Sequence, residues 1–570
     1  MSQEIRFVLA ISLMILVLVG TNILFPPIRP DELGPPGTAA DSGALTPTVG
    51  TTTPPLEIPT VPEVRTRTPT RAAEPVAEEA PAARDVVVEG PLYRFTFSSR
   101  GANLRSAVLT KFRSFAEDRL DEGGFVELIP AGSGALGSRV QVGERVLDLT
   151  DQPFEAFPSD GLTLREGGRP KTLTFTYRHP TTPFALSTTY TFDPDSYLVN
   201  VSTRIEALDA DLLLTDLGTG IAYNEDRIED ETRVLAYVTN HVQNGIRAQL
   251  LRKADEPKIE SGPFIWAALK SKYFLVAIMP GTDAETTSYL GGLIAEPVPA
   301  PDQAYVAVSQ PVGAGGVVEY RLLLGPQTRS LLTSFDNDLE EVNPYGWRWM
   351  RPVVRPFVGI VLGILNYLHD RLNIGYGWVL ILFGVLMRVL LFPLNQKAMR
   401  SQMKNMAVQP LLKEIQAKYK DQPEKLQKEM MKLYKEHGFN PLAGCLPMLL
   451  PWPILITLFF VFQNTIALRG EPFLWLPSLS AADPFYILPV VLGLSMFLMQ
   501  WIMVRSMEEP NPQMKMMMWL MPGFMMFIFL NLASGLNLYY ATANLTTLPQ
   551  QYWIAKERKK LHASQRSAKS

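Results

Sequence analysis

The chain has 570 residues, 47% of them hydrophobic and 19% charged, with a formal net charge of −3. That length allows two or three domains. One cysteine, Cys445, excludes an intramolecular disulfide and a cysteine zinc cage, and five scattered histidines offer no conventional metal site. The near-neutral total conceals a segregation, because residues 85–342 are acidic and 395–437 are basic. Such a pattern fits one chain with parts on two sides of a membrane.

Phe7–Phe25 is an apolar run preceded by Arg6. It is long and ends at Pro26 without a small-residue cleavage box, which favours an uncleaved transmembrane anchor over residues 1–25, N-terminus inside, rather than a signal peptide. Residues 26–84 are rich in Pro, Thr, Ala and Glu and too poor in apolar side chains to offset chain entropy, so they read as a disordered linker. Alternation then sets in, in Tyr93–Phe97, Leu173–Tyr177, Thr188–Phe192 and Tyr197–Val201, separated by turn signals such as Asp193-Pro-Asp195. Residues 85–342 are therefore expected to be all-β, two sheets packed as one large sandwich. His179 and His241 suggest a sugar-handling pair only weakly, since nothing sets a carboxylate beside them.

Residues 343–371 are expected to form an amphipathic helix with Trp347, Trp349, Phe357, Ile360, Ile364 and Tyr367 along one side. It reads as a short span or as a helix lying in the interface. Trp378–Leu394 is long and apolar enough to cross a bilayer, yet it carries Arg388. A cation at the centre of a membrane helix costs at least roughly 2.5–3.5 kcal/mol. Arg388 either snorkels to the headgroups or faces a wet cavity. One span here keeps the basic loop inside the cell if the first helix starts inside, which makes 343–371 interfacial.

Residues 396–437 read as a basic helical hairpin. Leu411, Ile415 and Tyr419 share one seam, Leu426, Met430 and Leu433 another, and Pro423 opens the second arm. Pro441, Pro447, Pro451 and Pro453 bend the first half of the next span, 440–468. Leu442-Ala-Gly-Cys445 spells a lipoprotein box but lies too deep in the chain to be one. Spans at 485–504, 516–530 and 536–554 follow, with a tight turn at 531–535 and a basic tail at 556–570. The expectation is six spans, five of them in a helical core over 372–555.

In the last span Asn537, Tyr540, Asn544 and Thr547 recur at helical spacing, and Gln500, Gln463 and Asn464 are further polar groups in spans. Such a stripe is either interhelical glue, at about 0.6 kcal/mol per contact, or the wall of a hydrated groove. Arg388 and the proline-bent helix favour the groove. Met514, Met518, Met521 and Met525 share a face, as adaptable surface or as ordinary packing. No phosphate loop, dinucleotide fingerprint, nucleophile elbow or metal cluster is present in the sequence, so neither enzymatic activity nor a cofactor is expected. A channel or transporter would want an acidic partner for Arg388, which the stripe lacks, and paired broken helices. A membrane-anchored carbohydrate enzyme would leave five spans without a purpose.

The order of parts, with Met387-Arg-Val-Leu-Leu-Phe-Pro393, Asn440-Pro-Leu-Ala-Gly-Cys-Leu-Pro447, Asp483-Pro-Phe-Tyr-Ile-Leu-Pro489 and Ser534-Gly-Leu-Asn-Leu-Tyr-Tyr540, resembles the YidC membrane protein insertases of Gram-negative bacteria over essentially the whole chain. The resemblance implies five helices around a hydrophilic groove, open to the cytoplasm and to lipid and closed towards the periplasm. Arg388 corresponds to the family's groove arginine. Tyr539 and Tyr540 correspond to its substrate-contacting tyrosine pair. Residues 85–342 would be a mutarotase-like super-sandwich in the periplasm, making a multi-domain inner-membrane protein with both termini cytoplasmic and 26–377 on the periplasmic side. The implied partners are nascent membrane proteins, the Sec translocon, membrane lipids, and the ribosome through the hairpin and tail. Related members often carry Gln where this chain has Pro451, which removes one polar contribution to the groove.

Overall fold

The computed structural model describes residues 83–117, 124–281, 289–313, 315–343, 351–393, 422–436, 452–506 and 512–567, with a few single positions between. The expected anchor at 1–25, almost all of the linker, Trp347, Trp349, Leu411 and the Pro441–Pro451 stretch with Cys445 lie outside the described residues. The described residues divide into two units: those up to Leu362 group with Pro453–Arg469, and those from Gly363 to Trp452 group with the chain from Gly470 onward.

In the first unit the alternating runs become neighbouring antiparallel strands. Lys171–Arg178, Ala185–Phe192 and Leu198–Glu206 pair in that order, with Tyr190 opposite Leu173 and Val201. They belong to a 14-stranded sheet, over which packs a five-stranded sheet that includes Asp85–Glu89, Tyr93–Ser98 and Leu104–Arg113. Phe95, Phe97 and Leu109 of the small sheet share one core with Phe175, Tyr190 and Phe192 of the large one. Phe274–Pro280 shows the period-2 rule at full strength. Phe274, Val276 and Ile278 enter that core, whereas Leu275, Ala277 and Met279 enter a second one on the opposite face. The second core is covered by Leu332 of a short helix, Arg329–Thr333, and by Leu339 and Val342 of a one-turn 3-10 helix. A strand buried on both faces reads as a continuous apolar run rather than an alternating one.

Charged groups inside this unit are tied down. Asp216 accepts a hydrogen bond from the Tyr305 hydroxyl and lies 3.8 Å from Arg139, whose guanidinium covers the Tyr305 ring. Glu231, on the short helix Ile228–Thr232, is 1% exposed. Its Oε2 accepts from the Asn224 and Glu225 amides at 2.6 and 3.1 Å, while Oε1 is buried without a hydrogen-bond partner among the described residues. Burial, and then the neighbouring Glu225 carboxylate, push its pKa from 4.5 up to about 7. Between those values the native chain holds a proton that the unfolded chain has released, so stability falls as pH rises through that window. Glu231→Gln is expected to abolish this fall. Its advantage over the parent grows from pH 4.5 towards pH 7, approaching ~3 kcal/mol, and denaturant unfolding of the full-length protein at pH 5 and pH 7.5 measures it.

The long helices follow. Helix α1, Arg351–Leu372, carries Pro352 in its first turn and Pro356 inside. Its buried side is Val354, Val358, Val361, Leu362 and Leu365, whereas Ile360 and Tyr367 are 56% and 65% exposed. Of the row expected from the sequence, Ile360 and Tyr367 are thus exposed and Phe357 and Ile364 half-buried, while the fully buried seam is aliphatic. Arg355 pairs with Asp338 at 2.9 Å and Glu341 at 2.8 Å, fastening α1 to the 3-10 turn. A turn with Asn373 at positive φ leads into α2, Tyr376–Pro393, and His369 stacks on Tyr376 at 4.2 Å across it.

Helix α3, Pro423–Glu436, begins at Pro423 as expected; Leu433 is buried, and Leu426 and Met430 are half-buried on the same side. Then come α4, Trp452–Asn464; α5, Ile487–Arg505; α6, Pro512–Phe529; and α7, Ser534–Ser567. Among the described residues α2 and α5 are long and apolar enough to cross a membrane, and Met518–Phe529 is a shorter apolar segment. The tail expected from 556 is not a separate element, since α7 continues through it to Ser567. Lys, Glu, Arg and Ala are good helix formers, and this stretch contains no glycine or proline to stop them.

Candidate functional site

The second unit is built around α7. At its N-terminal end the chain is pinned by a hydrogen-bonded loop, 470–483. Ser534 and Gly535 donate backbone bonds to Ala481 and Leu479 at 2.7 and 2.8 Å, and the Ser534 hydroxyl donates to the Ser478 carbonyl at 2.9 Å. A Cβ on Gly535 would stand 3.0 Å from the Leu479 carbonyl oxygen, so glycine permits this approach. Asp483 is 0% exposed. Its carboxylate accepts from the Trp475 indole at 3.1 Å, the Phe485 amide at 3.0 Å and the Leu488 amide at 2.7 Å. One acid thus satisfies a first-turn amide of α5 and fixes the loop.

One face of α7 meets α2. Gly384 brings the backbones together: an added Cβ would lie 3.2 Å from Thr542 Cγ2 and 3.5 Å from the Tyr539 carbonyl oxygen. The Phe383 ring packs on Tyr539 at 5.7 Å. Arg388 is one helical turn beyond Gly384 and so shares its face. It is half-buried, interacts electrostatically with Tyr539, and its Nε is buried without a hydrogen-bond partner among the described residues. The Tyr539 and Tyr540 rings meet at 5.5 Å, and Tyr540 packs edge-on against Phe529 of α6 at 5.2 Å. Gly384→Val is expected to force α2 off α7, costing about 1–3 kcal/mol. Thermal unfolding in detergent reads this, with Gly384→Ala much closer to the parent.

The polar stripe is real in periodicity but divided in use. Asn537, 0% exposed, donates to the Phe529 carbonyl at 3.0 Å and so caps α6, while its Oδ1 is buried without a partner among the described residues. Asn544 donates to Ser495 of α5 at 3.3 Å, and Thr547 bonds back to the Ala543 carbonyl. Gln500 is half-buried on α5, beyond Ser495 towards Arg505. The pair brought together is therefore Arg388 with Tyr539, Tyr540 lying alongside, whereas Asn537 and Asn544 join α7 to α6 and α5. Gln550, not singled out in the sequence, adds another buried amide nitrogen on α7 that has no hydrogen-bond partner among the described residues.

Two family models match the chain: the YidC periplasmic domain over residues 85–358, and the 60Kd inner membrane protein over 367–561. The membrane protein insertase YidC of Chlorobium luteolum is 32% identical over 521 residues, covering 85% of this chain and 86% of that protein. The corresponding protein of Chlorobaculum tepidum is 31% identical, covering 83% and 82%. The chain belongs to the YidC family. It is of the type with a large periplasmic domain. Among solved structures, an active YidC insertase with its first transmembrane domain resolved aligns at 18% identity and a TM-score of 0.32, covering 82% of this chain and 92% of that one. A galactose mutarotase-like protein from Lactobacillus casei aligns at 12% identity and a TM-score of 0.28, covering 42% and 100%.

YidC relatives are named membrane protein insertases, not catalytic enzymes. His179 Nδ1 accepts from the Thr181 and Thr182 amides, and His241 Nδ1 from the Gln243 and Asn244 amides. Each closes its own turn. Sequence reasoning named Arg388 because a charge in an apolar run stands out. It missed Gly384 and the role of Asp483, whose importance lies in partners on other elements.

Proposed function

We propose that this chain is an inner-membrane insertase that receives nascent membrane proteins in a hydrophilic groove centred on Arg388, alone or beside the Sec translocon. Arg388 is the observation that carries this reading: a half-buried cation beside Tyr539 whose Nε has no bond among the described residues. A buried donor left unpaired costs about 1–3 kcal/mol, so such a group is suited to water or to a visiting polypeptide. Acidic or carbonyl-rich parts of a nascent chain are drawn to Arg388, with Tyr539 and Tyr540 as apolar walls. Gln500 and the Asn537 Oδ1, which has no partner among the described residues, add polarity, and Asn544 steadies the wall. The substrate's apolar segment then leaves for lipid, downhill by about 25 cal/mol per Å² of apolar surface removed from water. No covalent step is needed.

The wider arrangement is part of the same proposal. Six spans leave both termini cytoplasmic and 26–377 on the periplasmic side; α1 lies in the interface, its exposed Ile360 and Tyr367 towards lipid. The β domain is a mutarotase-like super-sandwich. The basic hairpin and the helical basic tail meet the ribosome and acidic lipid headgroups. Pro451 makes the groove less polar than in relatives with Gln there. Reconstitution tests the reading. Vesicles containing the purified protein should insert a short-tailed membrane protein that empty vesicles leave protease-accessible; equal yields would reject insertase function.

A further inference from the structure

Arg469 follows the 3-10 turn Ile466–Leu468 that ends the α4 segment, and its side chain is 4% exposed. Its Nε donates to Glu225 Oε1 at 2.6 Å, Nη1 to the Arg113 carbonyl at 2.7 Å and Nη2 to the Asn224 carbonyl at 3.1 Å. The guanidinium lies 4.5 Å from the Phe115 ring centroid and 5.2 Å from that of Phe274. Ile466 packs on the sheet core, and Leu468 is 1% exposed. One arginine thus gathers three separate segments of the β domain. An exposed ion pair is worth little, but a buried planar fork with every acceptor in place depends on arginine specifically. By sequence α4 falls within the stretch matched by the inner membrane protein model, while all of these partners fall within the periplasmic-domain match.

We propose that Arg469 is a latch that fastens the C-terminal end of α4 into the β domain, so that the domain holds a helix of the insertase core in position. Its consequence for activity rests on the insertase reading; the latch itself does not. Full-length protein in lipid nanodiscs, followed by amide hydrogen exchange, tests it. Arg469→Met should speed exchange at 113–116, 222–226 and 465–469 by at least roughly a hundredfold, as loss of a buried ion pair does, while strands 171–178 and 198–206 keep parental protection. Arg469→Lys should fall between, keeping the charge without the fork. Glu225→Gln, which keeps an acceptor, gives the same local signature at smaller amplitude should Arg469→Met fail to accumulate. Insertion yield in vesicles should fall in the same order across the variants. Parental exchange at 465–469 in Arg469→Met would overturn the latch. Faster local exchange with undiminished insertion would overturn its positioning role. A parent protein inactive in insertion would instead count against the insertase reading.

Discussion

Arg388→Ala is expected to slow insertion of substrates with acidic translocated flanks by about tenfold or more, while substrates with uncharged flanks change less than about threefold. A hydrogen bond to a charged group contributes about 1.5–3 kcal/mol, and each 1.36 kcal/mol in a barrier is about tenfold in rate. The fold should survive, because the substitution deletes a buried donor that has no partner among the described residues. Detergent unfolding of Arg388→Ala should match or exceed the parent. Arg388→Lys should retain much of the rate, since a positive charge rather than a bidentate fork is proposed. Loss of stability parallel to loss of insertion would recast Arg388 as a structural residue.

Asp483→Ala is expected to cost about 3–4 kcal/mol, the largest stability effect in the helical unit. Three donors, from Trp475, Phe485 and Leu488, converge on this carboxylate, which is 0% exposed. Alanine strands them in a place water does not reach, and hydrogen bonds to charged groups are the costly ones to lose. Asp483→Asn keeps acceptors and should cost less than half as much. Thermal unfolding in detergent measures both, and a loss below about 1 kcal/mol for Asp483→Ala would mean that the loop rearranges to satisfy its donors.

The two cases show what a sequence discloses. Tyr93, Phe95 and Phe97 announce a strand because only one of their two faces is apolar, and these residues are buried at 0%, 1% and 1%. Phe274–Met279 gives no such signal, being buried on both faces. Arg388 is conspicuous because charge is rare in a span. Gly384 is silent, since a glycine in an apolar helix marks a close approach only once Thr542 and Tyr539 are known to lie opposite. Arg469 reads as an ordinary loop cation until Glu225, far away in the chain, is found 2.6 Å from it. The stripe on α7 has the right period, yet period cannot tell a groove wall from a cap. Asn537 went to the Phe529 carbonyl and Asn544 to Ser495, because a helix end and a facing hydroxyl stood within reach.

Site-specific photo-crosslinking to stalled nascent chains bears most directly on the groove. Probes at positions 388 and 540 should capture the polar flank of nascent membrane proteins and ignore soluble nascent chains, whereas probes at the exposed positions Val389 and Trp519, 67% and 68% accessible, should capture that flank far less. Capture of the flank from 389 and 519 with none from 388 and 540 would contradict a groove centred on Arg388.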